Sequence, residues 1–150
     1  MIRFRFVASF AFLVVALAAV PVSAQEVGLR AGVSASPDQF YFGGHLETPP
    51  LLENLYFRPN AEIGIGNDLS LVSFNVEFAY HFANASTWHA YAGAGPALNF
   101  IRHAGNTDSE GGFNLLIGVQ HSGGLFAEVK AGLQNSPNFK VGVGYAFHRR

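Results

Sequence analysis

The stretch Phe139-Lys140-Val141-Gly142-Val143-Gly144-Tyr145-Ala146-Phe147 decides the fold class of this chain. Its odd-numbered side chains are large and apolar, whereas its even-numbered side chains are small or charged. Because successive side chains of a β-strand point to opposite faces, this alternation predicts a strand with one bulky and one small face. Five bulky side chains would overfill a narrow barrel interior, but glycine and alanine leave room there. We therefore expect the apolar face to point outward to lipid.

Seven earlier segments show the same period of two: residues 27–34, 40–46, 55–66, 72–82, 88–100, 113–120 and 125–134. No Asp, Glu, Lys or Arg lies on the apolar face of any of the eight segments. Seven charged residues lie on the opposite face: Arg30, Arg58, Glu62, Glu77, Glu128, Lys130 and Lys140. A soluble lipocalin-like barrel would place apolar side chains inside and charges outside, the reverse of this pattern. The sequence therefore predicts an all-β protein, an eight-stranded antiparallel up-and-down transmembrane β-barrel.

The seven inward charges also predict how the lumen is filled. Burying unpaired ions in a dry core costs several kcal/mol each, whereas four positive and three negative charges in a narrow lumen can pair. We expect a salt-bridged plug rather than an open pore, since eight strands enclose an interior that side chains can fill. A turn at Asn67-Asp68 would bring Glu77 diagonally near Arg58, and we expect these two side chains to pair.

The aromatic residues give an independent indication of a membrane barrel. With both termini on the periplasmic side, odd-numbered strands run outward and even-numbered strands return. Ten outward-facing rings then fall at two levels, as in the aromatic girdles of membrane barrels. The periplasmic level contains Phe57, Tyr80, Phe82, Trp88, Tyr145 and Phe147, and the outer level contains Phe40, Phe100, Phe113 and Phe139. Of the phenylalanines after residue 24, only Phe126 is predicted to face inward.

The N-terminal residues have the layout of a secretory signal peptide. Arg3 and Arg5 precede an apolar run over residues 6–20, Pro21 follows, and Val22-Ser23-Ala24 supplies small residues for cleavage. The run is shorter than the roughly 20 apolar residues of an uncleaved membrane anchor. We expect residues 1–24 to be removed, which leaves residues 25–150 as one barrel domain.

The composition of residues 25–150 excludes several other classes of protein. They contain seven Lys or Arg and ten Asp or Glu, a net charge of −3, which is no electrostatic footprint for nucleic acid. The absence of cysteine excludes disulfides and thiolate metal sites. No later stretch is apolar enough for a membrane helix, so any membrane crossing must be made by strands.

The connections between strands fit this scheme only in part. The longest polar link, residues 102–111, is expected to be a loop on the outer side. Residues 47–54, which include Pro49-Pro50, are long for a periplasmic turn. Pro59 and Pro96 each remove a ladder hydrogen bond in a closed sheet, and we interpret them as bulges or local register shifts.

Two groups of residues suggest chemistry that would compete with a structural role. His121-Ser122 with Glu128 nearby contains a nucleophile, a base and an orienting carboxylate. Adjacent strand residues point to opposite faces, however, so a polar turn explains this pair better than catalysis. His45, His81 and His89 are predicted to face inward near the periplasmic end, with His81 directly opposite His89. Imidazoles in that arrangement can bind zinc or copper, although hydrogen bonding within the lumen explains them equally well.

The C-terminal segment resembles the assembly signal of small eight-stranded outer-membrane barrels of the OmpA type, with Lys140, Gly142, Tyr145 and Phe147 at the matching positions. Residues 57–66 and 91–95 also resemble strand sequences of this group. The chain departs from the pattern because three residues follow the final aromatic. The resemblance implies a bacterial outer-membrane location and recognition by the barrel-assembly machinery, and it implies no activity.

Together these patterns predict an integral outer-membrane barrel with a structural or interaction role in the cell envelope. We expect a monomer without a cofactor or catalytic residues, in contact with outer-membrane lipid and not with nucleic acid. One alternative is an enzyme that modifies lipid A or phospholipid. A second alternative is a small pore.

Overall fold

The computed structural model describes residues 26–36, 38–66, 69–83, 86–134 and 137–148 of the 150-residue chain. The predicted signal peptide over residues 1–24 and the predicted turn at Asn67-Asp68 lie outside these described residues. No helix that is long and apolar enough to cross a membrane occurs within them.

Eight strands form a closed barrel, in which each strand pairs antiparallel with the next and the last pairs with the first. The predicted fold class is confirmed. The strands are β1 (Glu26–Ala35), β2 (Gln39–Glu47), β3 (Leu55–Gly66), β4 (Leu69–His81), β5 (Trp88–His103), β6 (Asn106–His121), β7 (Leu125–Gln134) and β8 (Phe139–His148). We call the end where β1 begins and β8 ends the terminal end, and the opposite end the hairpin end.

The barrel is sorted with apolar side chains outside and polar side chains inside. Phe78 and Val141 are exposed on the outer surface, whereas Glu77 and Lys130 are almost fully buried in the interior. The period of two causes this sorting, because it assigns every second residue of each strand to the lumen. The burial patterns of β1, β4 and β7 alternate along most of each strand in the same sense.

The strand register is continuous across both prolines, so their interpretation as bulges or register shifts is wrong. Pro59 lies opposite Val76 in a β3–β4 ladder that keeps one register throughout. Between β4 and β5 the residue pairs at Pro96 and Gly95 are missing from the ladder, yet the register is the same on both sides of this gap. The missing N–H of a proline therefore interrupts pairing locally without an inserted residue.

The predicted outer loop over residues 102–111 is instead a continuation of the β5–β6 hairpin. β5 runs to His103, β6 starts at Asn106, and Ala104 and Gly105 form the turn. Both turn residues have positive φ, as a two-residue type I′ turn requires. Polar side chains on both faces made this stretch look like a loop, but a strand that extends beyond the apolar belt is polar on both faces. The six outermost residue pairs of the β5–β6 hairpin lie beyond Gly112, the residue at which the β6–β7 ladder begins.

The connection after β2 folds back on itself near the terminal end. The backbone N–H of Leu51 donates to the carbonyl of Leu55, and the N–H of Leu55 donates to the carbonyl of Leu52. The N–H of Thr48 donates to the carbonyl of Phe57 at 3.0 Å, which extends the β2–β3 register beyond the end of the strand. These bonds explain how a connection containing two prolines remains compact.

Candidate functional site in the barrel lumen

The seven charged residues expected inside the barrel are all buried there, with at most 5% of their surface exposed. They come from five strands, and we call them the central ion network: Arg30 on β1, Arg58 and Glu62 on β3, Glu77 on β4, Glu128 and Lys130 on β7, and Lys140 on β8. Each occupies an inward position of its strand because of the alternation described above. The barrel closure brings them together from opposite walls.

Glu62 and Glu77 receive their cations from the far side of the lumen. Lys140 Nζ donates to Glu62 Oε2 at 2.6 Å, and Lys130 Nζ donates to Glu62 Oε1 at 3.1 Å. Lys130 Nζ also donates to Glu77 Oε1 at 2.6 Å. Lys130 and Lys140 are direct neighbours across the β7–β8 ladder, where like charges repel. Their shared contact with Glu62 offsets that repulsion and links β7 and β8 to β3.

Glu128 is the second centre of the central ion network. Its Oε1 accepts a hydrogen bond from Arg30 Nη1 at 2.8 Å, and its Oε2 accepts one from the Tyr91 hydroxyl at 2.7 Å. Arg58 Nη1 lies 3.4 Å from the same Oε2. Because charged hydrogen bonds in a low dielectric are strong, this carboxylate ties β1, β3 and β5 to β7.

The predicted pairing of Arg58 with Glu77 is wrong. The two residues lie directly opposite each other in the β3–β4 register. Arg58 nevertheless forms its ion pairs with Glu128 and Glu47, and Glu77 forms its ion pair with Lys130. Long side chains in a narrow closed barrel reach across the axis as easily as along the wall, so register alone does not select the partner.

Three aromatic rings fill the space around these charges: Tyr41, Tyr91 and Phe126, each at most 3% exposed. The Arg58 guanidinium lies over the Tyr91 ring at 4.9 Å and over the Phe126 ring at 5.3 Å, and Lys140 Nζ lies 5.0 Å from the Tyr41 ring centroid. Cations above aromatic faces are stabilised further when water is excluded. Phe126 faces the lumen, as predicted.

Glycines opposite these rings create the room that the rings occupy. A Cβ added at Gly118 would meet the Tyr91 ring, one at Gly144 would meet the Phe126 ring, and one at Gly142 would meet the Tyr41 hydroxyl. The small inward faces of β6 and β8 therefore leave space for bulky side chains from other strands. Gly142 of the expected assembly signal has this packing role in addition to any role in assembly.

Hydrogen-bonded asparagine and serine side chains, which the sequence analysis missed, also fill the lumen. Asn114 Nδ2 donates to Asn75 Oδ1 at 2.8 Å, and Asn75 Nδ2 donates to Asn60 Oδ1 at 2.7 Å. Ser73 Oγ donates to Asn99 Oδ1 at 2.8 Å. All five side chains occupy inward positions of their strands, so the period of two in the sequence indicates that they face the lumen.

Two further buried carboxylates, Glu26 and Glu47, lie at the terminal end of the lumen, where the sequence predicted none. Glu26 is the first residue of β1 and Glu47 is the last residue of β2. Both continue the inward alternation of their strands by one step. They were missed because strand ends cannot be placed to within one residue from a pattern alone.

A cavity of about 230 Å³ opens at this end, and we call it the vestibule. Its lining residues are Glu26, Glu47, Tyr56, His81, His89, Gln120, His121 and Ser122. Further inside, the buried Arg58 guanidinium lies over the buried rings of Tyr91 and Phe126. The vestibule therefore ends against the central ion network.

The three histidines considered as a possible metal site, His45, His81 and His89, do not come together, and the expected placement of His81 directly opposite His89 is wrong. His81 lies opposite Tyr91 in the β4–β5 register, and His89 lies opposite Gln120 in the β5–β6 register, so His81 does not face His89 directly. His45 lies deeper, where its ring contacts Phe126 edge-on with centroids 5.4 Å apart. Among the described residues, no three His, Asp or Glu side chains form a group that could hold a metal ion.

The residues considered for catalysis are engaged elsewhere. His121 Nδ1 accepts a hydrogen bond from the backbone N–H of Gly123 at 2.9 Å, and its ring packs against Trp88. Glu128 is held by Arg30 and Tyr91 in the central ion network. Ser122 lies in the turn after β6. The contacts of Glu128 therefore face the lumen centre, away from His121.

The ten aromatic residues expected in girdles all occupy outward positions of their strands. Eight are exposed, and Phe57 and Phe100 are half-buried. At the terminal end, the rings of Tyr80 and Phe82 lie 5.2 Å apart and those of Tyr145 and Phe147 lie 4.9 Å apart. Tyr145 and Phe147 are also the aromatic residues of the expected assembly signal, whose Lys140 instead points inward to Glu62.

No protein-family model matches the chain, and no curated protein matches it in sequence. Several solved structures of outer-membrane barrels are similar to it in fold. Neisserial surface protein A (NspA) is 16% identical with a TM-score of 0.66, and the match covers 83% of this chain and 95% of that one. The chain has the fold of the eight-stranded outer-membrane barrels.

Two other outer-membrane barrels match over nearly their whole length. The N-terminal β-barrel domain of Pseudomonas aeruginosa OprF is 15% identical with a TM-score of 0.58, covering 83% of this chain and 99% of that one. The outer membrane enzyme PagL is 16% identical with a TM-score of 0.52 and the same coverage. The resemblance seen in the sequence is therefore confirmed as a likeness of fold.

Proposed function

We propose that this protein is an integral outer-membrane β-barrel with a structural or interaction role in the cell envelope. One observation carries the proposal: the interior is closed by the central ion network and its aromatic rings, while large apolar side chains cover the outside. Leu29, Ile117 and Val143 expose more than half of their surface on the outer wall. An apolar surface of this size is unfavourable in water, and the acyl region of a bilayer removes it from contact with water.

The outer-membrane location is tested by separating inner and outer membranes from cells that express the protein. We expect the protein in the outer-membrane fraction, and we expect the unheated protein to migrate differently from the boiled protein on electrophoresis. Recovery in the inner-membrane or soluble fraction would contradict the proposal. Identical migration of heated and unheated samples would contradict the presence of a stable barrel.

The closed interior argues against the second alternative, a small pore. Arg58 on β3 lies 3.4 Å from Glu128 on β7, and Lys130 on β7 lies 2.6 Å from Glu77 on β4, so charged contacts cross the lumen between opposite walls. We expect purified protein in a planar lipid bilayer to give no steady ion current. As a control, Phe126→Ala combined with Tyr91→Ala removes two of the rings that fill the lumen, and we expect this variant to conduct more than the wild type. A steady current through the wild-type barrel would contradict the plug.

We propose further that the protein is not an enzyme, although one structural neighbour is the enzyme PagL. The contacts of Glu128 and His121 described above support this, because each side chain is already bound to a different group. Mass spectrometry of lipid A and phospholipid from cells with and without the gene tests it. We expect identical lipid profiles, and a lipid species that depends on the gene would overturn this part of the proposal.

The β5–β6 hairpin is the element best placed for an interaction role. Its outermost six residue pairs extend beyond the β6–β7 ladder, and the turn at Ala104 and Gly105 is exposed. Removal of residues 101–108 with a new two-residue turn leaves the central ion network untouched. We expect this variant to fold with unchanged heat-dependent migration and to lose any envelope phenotype that the gene confers. Retention of that phenotype would place the interaction elsewhere.

A further inference from the structure

The polar end of the β5–β6 hairpin has one covered edge and one open edge. On the β5 side, β4 stays paired up to Leu69, which lies opposite His103, the last residue of β5. On the β6 side, pairing with β7 begins only at Gly112, opposite Gln134. Within the described part of the chain, residues 106–110 therefore have a neighbouring strand on one side only. We call residues 106–110 the open edge.

The end of β7 explains why the open edge lacks a neighbouring strand. Gln134 has a φ of 61°, a left-handed conformation through which a strand does not continue. The chain returns as β8, which pairs with β7 and β1 and not with β6. The backbone hydrogen bonds that the described turns and loops form do not reach the open edge either.

Two residues of the open edge direct their peptide groups away from β5. His103 and Asn106 flank the two-residue turn and form a hydrogen-bonded pair. Because hydrogen-bonded and non-hydrogen-bonded pairs alternate along an antiparallel ladder, Thr107 and Ser109 belong to non-hydrogen-bonded pairs. Their N–H and C=O groups point to the open side, where no described strand pairs with them. The open edge thus presents two donors and two acceptors to an added strand.

The charged side chains of the open edge are both acidic. Asp108 and Glu110 lie two positions apart, so they project from the same face of β6. The residues opposite them on β5, Ile101 and Asn99, carry no charge. A strand added on the open side would bring its own side chains next to both carboxylates, and cross-strand pairs of opposite charge are favourable. The open edge therefore favours a partner strand with Lys or Arg at every second position.

The same two acids disfavour a second copy of this chain as the partner. Two open edges that pair antiparallel about residue 108 would place one Asp108 opposite another. Like charges directly opposite each other are destabilising, and charges on exposed strand edges protect sheets from pairing with their own copies. The acids thus exclude a second copy but not a basic strand.

We propose that the open edge is a docking site for an extended basic segment of another protein, which adds to the sheet as a strand beside β6. The peptide groups of Thr107 and Ser109 hold the segment, and its lysines or arginines pair with Asp108 and Glu110. Five residues span about 17 Å, the length of an ordinary short strand. This docking rests on the interaction role proposed above, since the open edge is accessible to another protein only where the hairpin extends beyond the bilayer.

A short synthetic peptide in which lysine alternates with threonine tests the open edge. Its binding to the barrel, folded in micelles of an uncharged detergent, is followed by fluorescence anisotropy of a label on the peptide. We expect saturable binding, and none when glutamate replaces every lysine. We expect Asp108→Asn combined with Glu110→Gln to weaken the binding of the lysine peptide at least about fivefold.

Proline variants test the peptide groups of the open edge. Thr107→Pro and Ser109→Pro each remove one N–H on the open side and no bond to β5. We expect each to weaken binding at least about fivefold, as loss of one hydrogen bond does. Thr107→Ala is the matched control, because it changes the side chain and keeps the N–H, and we expect it to bind as the wild type does.

Hydrogen exchange measured by NMR locates the bound peptide. We expect the N–H groups of Thr107 and Ser109 to exchange fast in the free barrel and slowly with peptide bound. The N–H of Asp108 faces β5 and is expected to exchange slowly in both states. Heat-dependent migration shows whether each variant is folded. If a proline variant fails to fold, N-methylation of the peptide decides: methylated threonines should abolish binding, and methylated lysines should not.

Absence of saturable binding would overturn the proposal, and so would equal binding to Thr107→Pro and Thr107→Ala. A wild-type dimer that Thr107→Pro dissociates would overturn it as well, because a second copy would then occupy the open edge. The interaction role itself is judged separately, by removal of residues 101–108. If that removal abolishes the envelope phenotype although the peptide does not bind, docking by strand addition is refuted and the interaction role of the hairpin stands.

Discussion

The centre and the terminal end of the lumen are both lined by buried carboxylates, but they differ in how those carboxylates are paired. In the centre, Glu62 and Glu77 each accept a hydrogen bond of 2.6 Å from a lysine. At the terminal end, His81 Nε2 and Arg58 Nε lie 3.3 Å and 3.8 Å from Glu47 Oε2 and form no hydrogen bond with it. The comparison shows that carboxylates with a close lysine hold the walls of the barrel together, whereas Glu47 at the terminal end is held less tightly.

The largest expected effect concerns the centre. Glu62→Gln removes the only carboxylate that contacts Lys140 among the described residues and one of those that contact Lys130. Breaking a buried ion pair by removing one partner costs about 3–5 kcal/mol, because the remaining charge stays buried. We expect a loss of that size in the free energy of unfolding, measured by urea titration in micelles with the fluorescence of Trp88.

Trp88 is the single tryptophan of the chain, so its fluorescence reports one site on the outer wall. Glu53→Gln is the control for Glu62→Gln, since Glu53 is exposed in the connection after β2. We expect it to change the free energy of unfolding by less than about 0.5 kcal/mol. A cost below about 1 kcal/mol for Glu62→Gln would mean that water replaces the lost charge and that the centre is not a tight plug.

The next effect tests the fit between glycines and rings. In Gly118→Val the new side chain would meet the Tyr91 ring, and overpacking of this kind costs about 1–3 kcal/mol. The same unfolding measurement applies. Gly111→Val is the matched control on the same strand, because a Cβ there meets nothing within 4 Å. Equal stability of the two variants would show that Tyr91 can move aside without cost.

A smaller effect is expected when only the hydroxyl of Tyr91 is removed. Tyr91→Phe keeps the ring over which Arg58 lies but deletes the hydrogen bond to Glu128 Oε2. Hydrogen bonds to charged groups contribute about 1.5–3 kcal/mol, and Arg30 and Arg58 still neutralise Glu128. We expect Tyr91→Phe to lower the free energy of unfolding by about 1.5 kcal/mol. An increase in stability would contradict the role of this hydroxyl in tying β5 to β7.

The smallest effect should come from the terminal end. Glu47→Gln removes a carboxylate whose Oε2 makes no hydrogen bond and lies 3.8 Å from Arg58 Nε and 3.3 Å from His81 Nε2, so less pairing energy is lost than at Glu62. We expect a loss in the free energy of unfolding that is smaller than that of Tyr91→Phe, measured by the same urea titration. A loss as large as that of Glu62→Gln would erase the difference between the two regions, since Glu47 would then be a structural ion as well.

Much of this arrangement follows from local patterns. The strand count, the outward aromatic residues and the inward positions of Arg30 and Lys130 all depend on the period of two, which is a property of the chain itself. One of the wrong predictions has a different origin. The loop predicted over residues 102–111 failed because polarity was taken as a sign of irregular structure, although the strands continue beyond the apolar belt as a polar hairpin.

The sequence by itself determined that this chain closes into an eight-stranded barrel with its charges inside, because alternation assigns each side chain to a face before any strand has met another. Only the tertiary structure decided which charges pair. Arg58, for example, pairs with Glu128 although Glu77 lies directly opposite it in the β3–β4 register. It also decided that Glu47 and His81 meet across the mouth of the lumen. These contacts depend on the closure of the barrel and on the reach of long side chains across its axis, and neither is encoded in the alternation along a single strand.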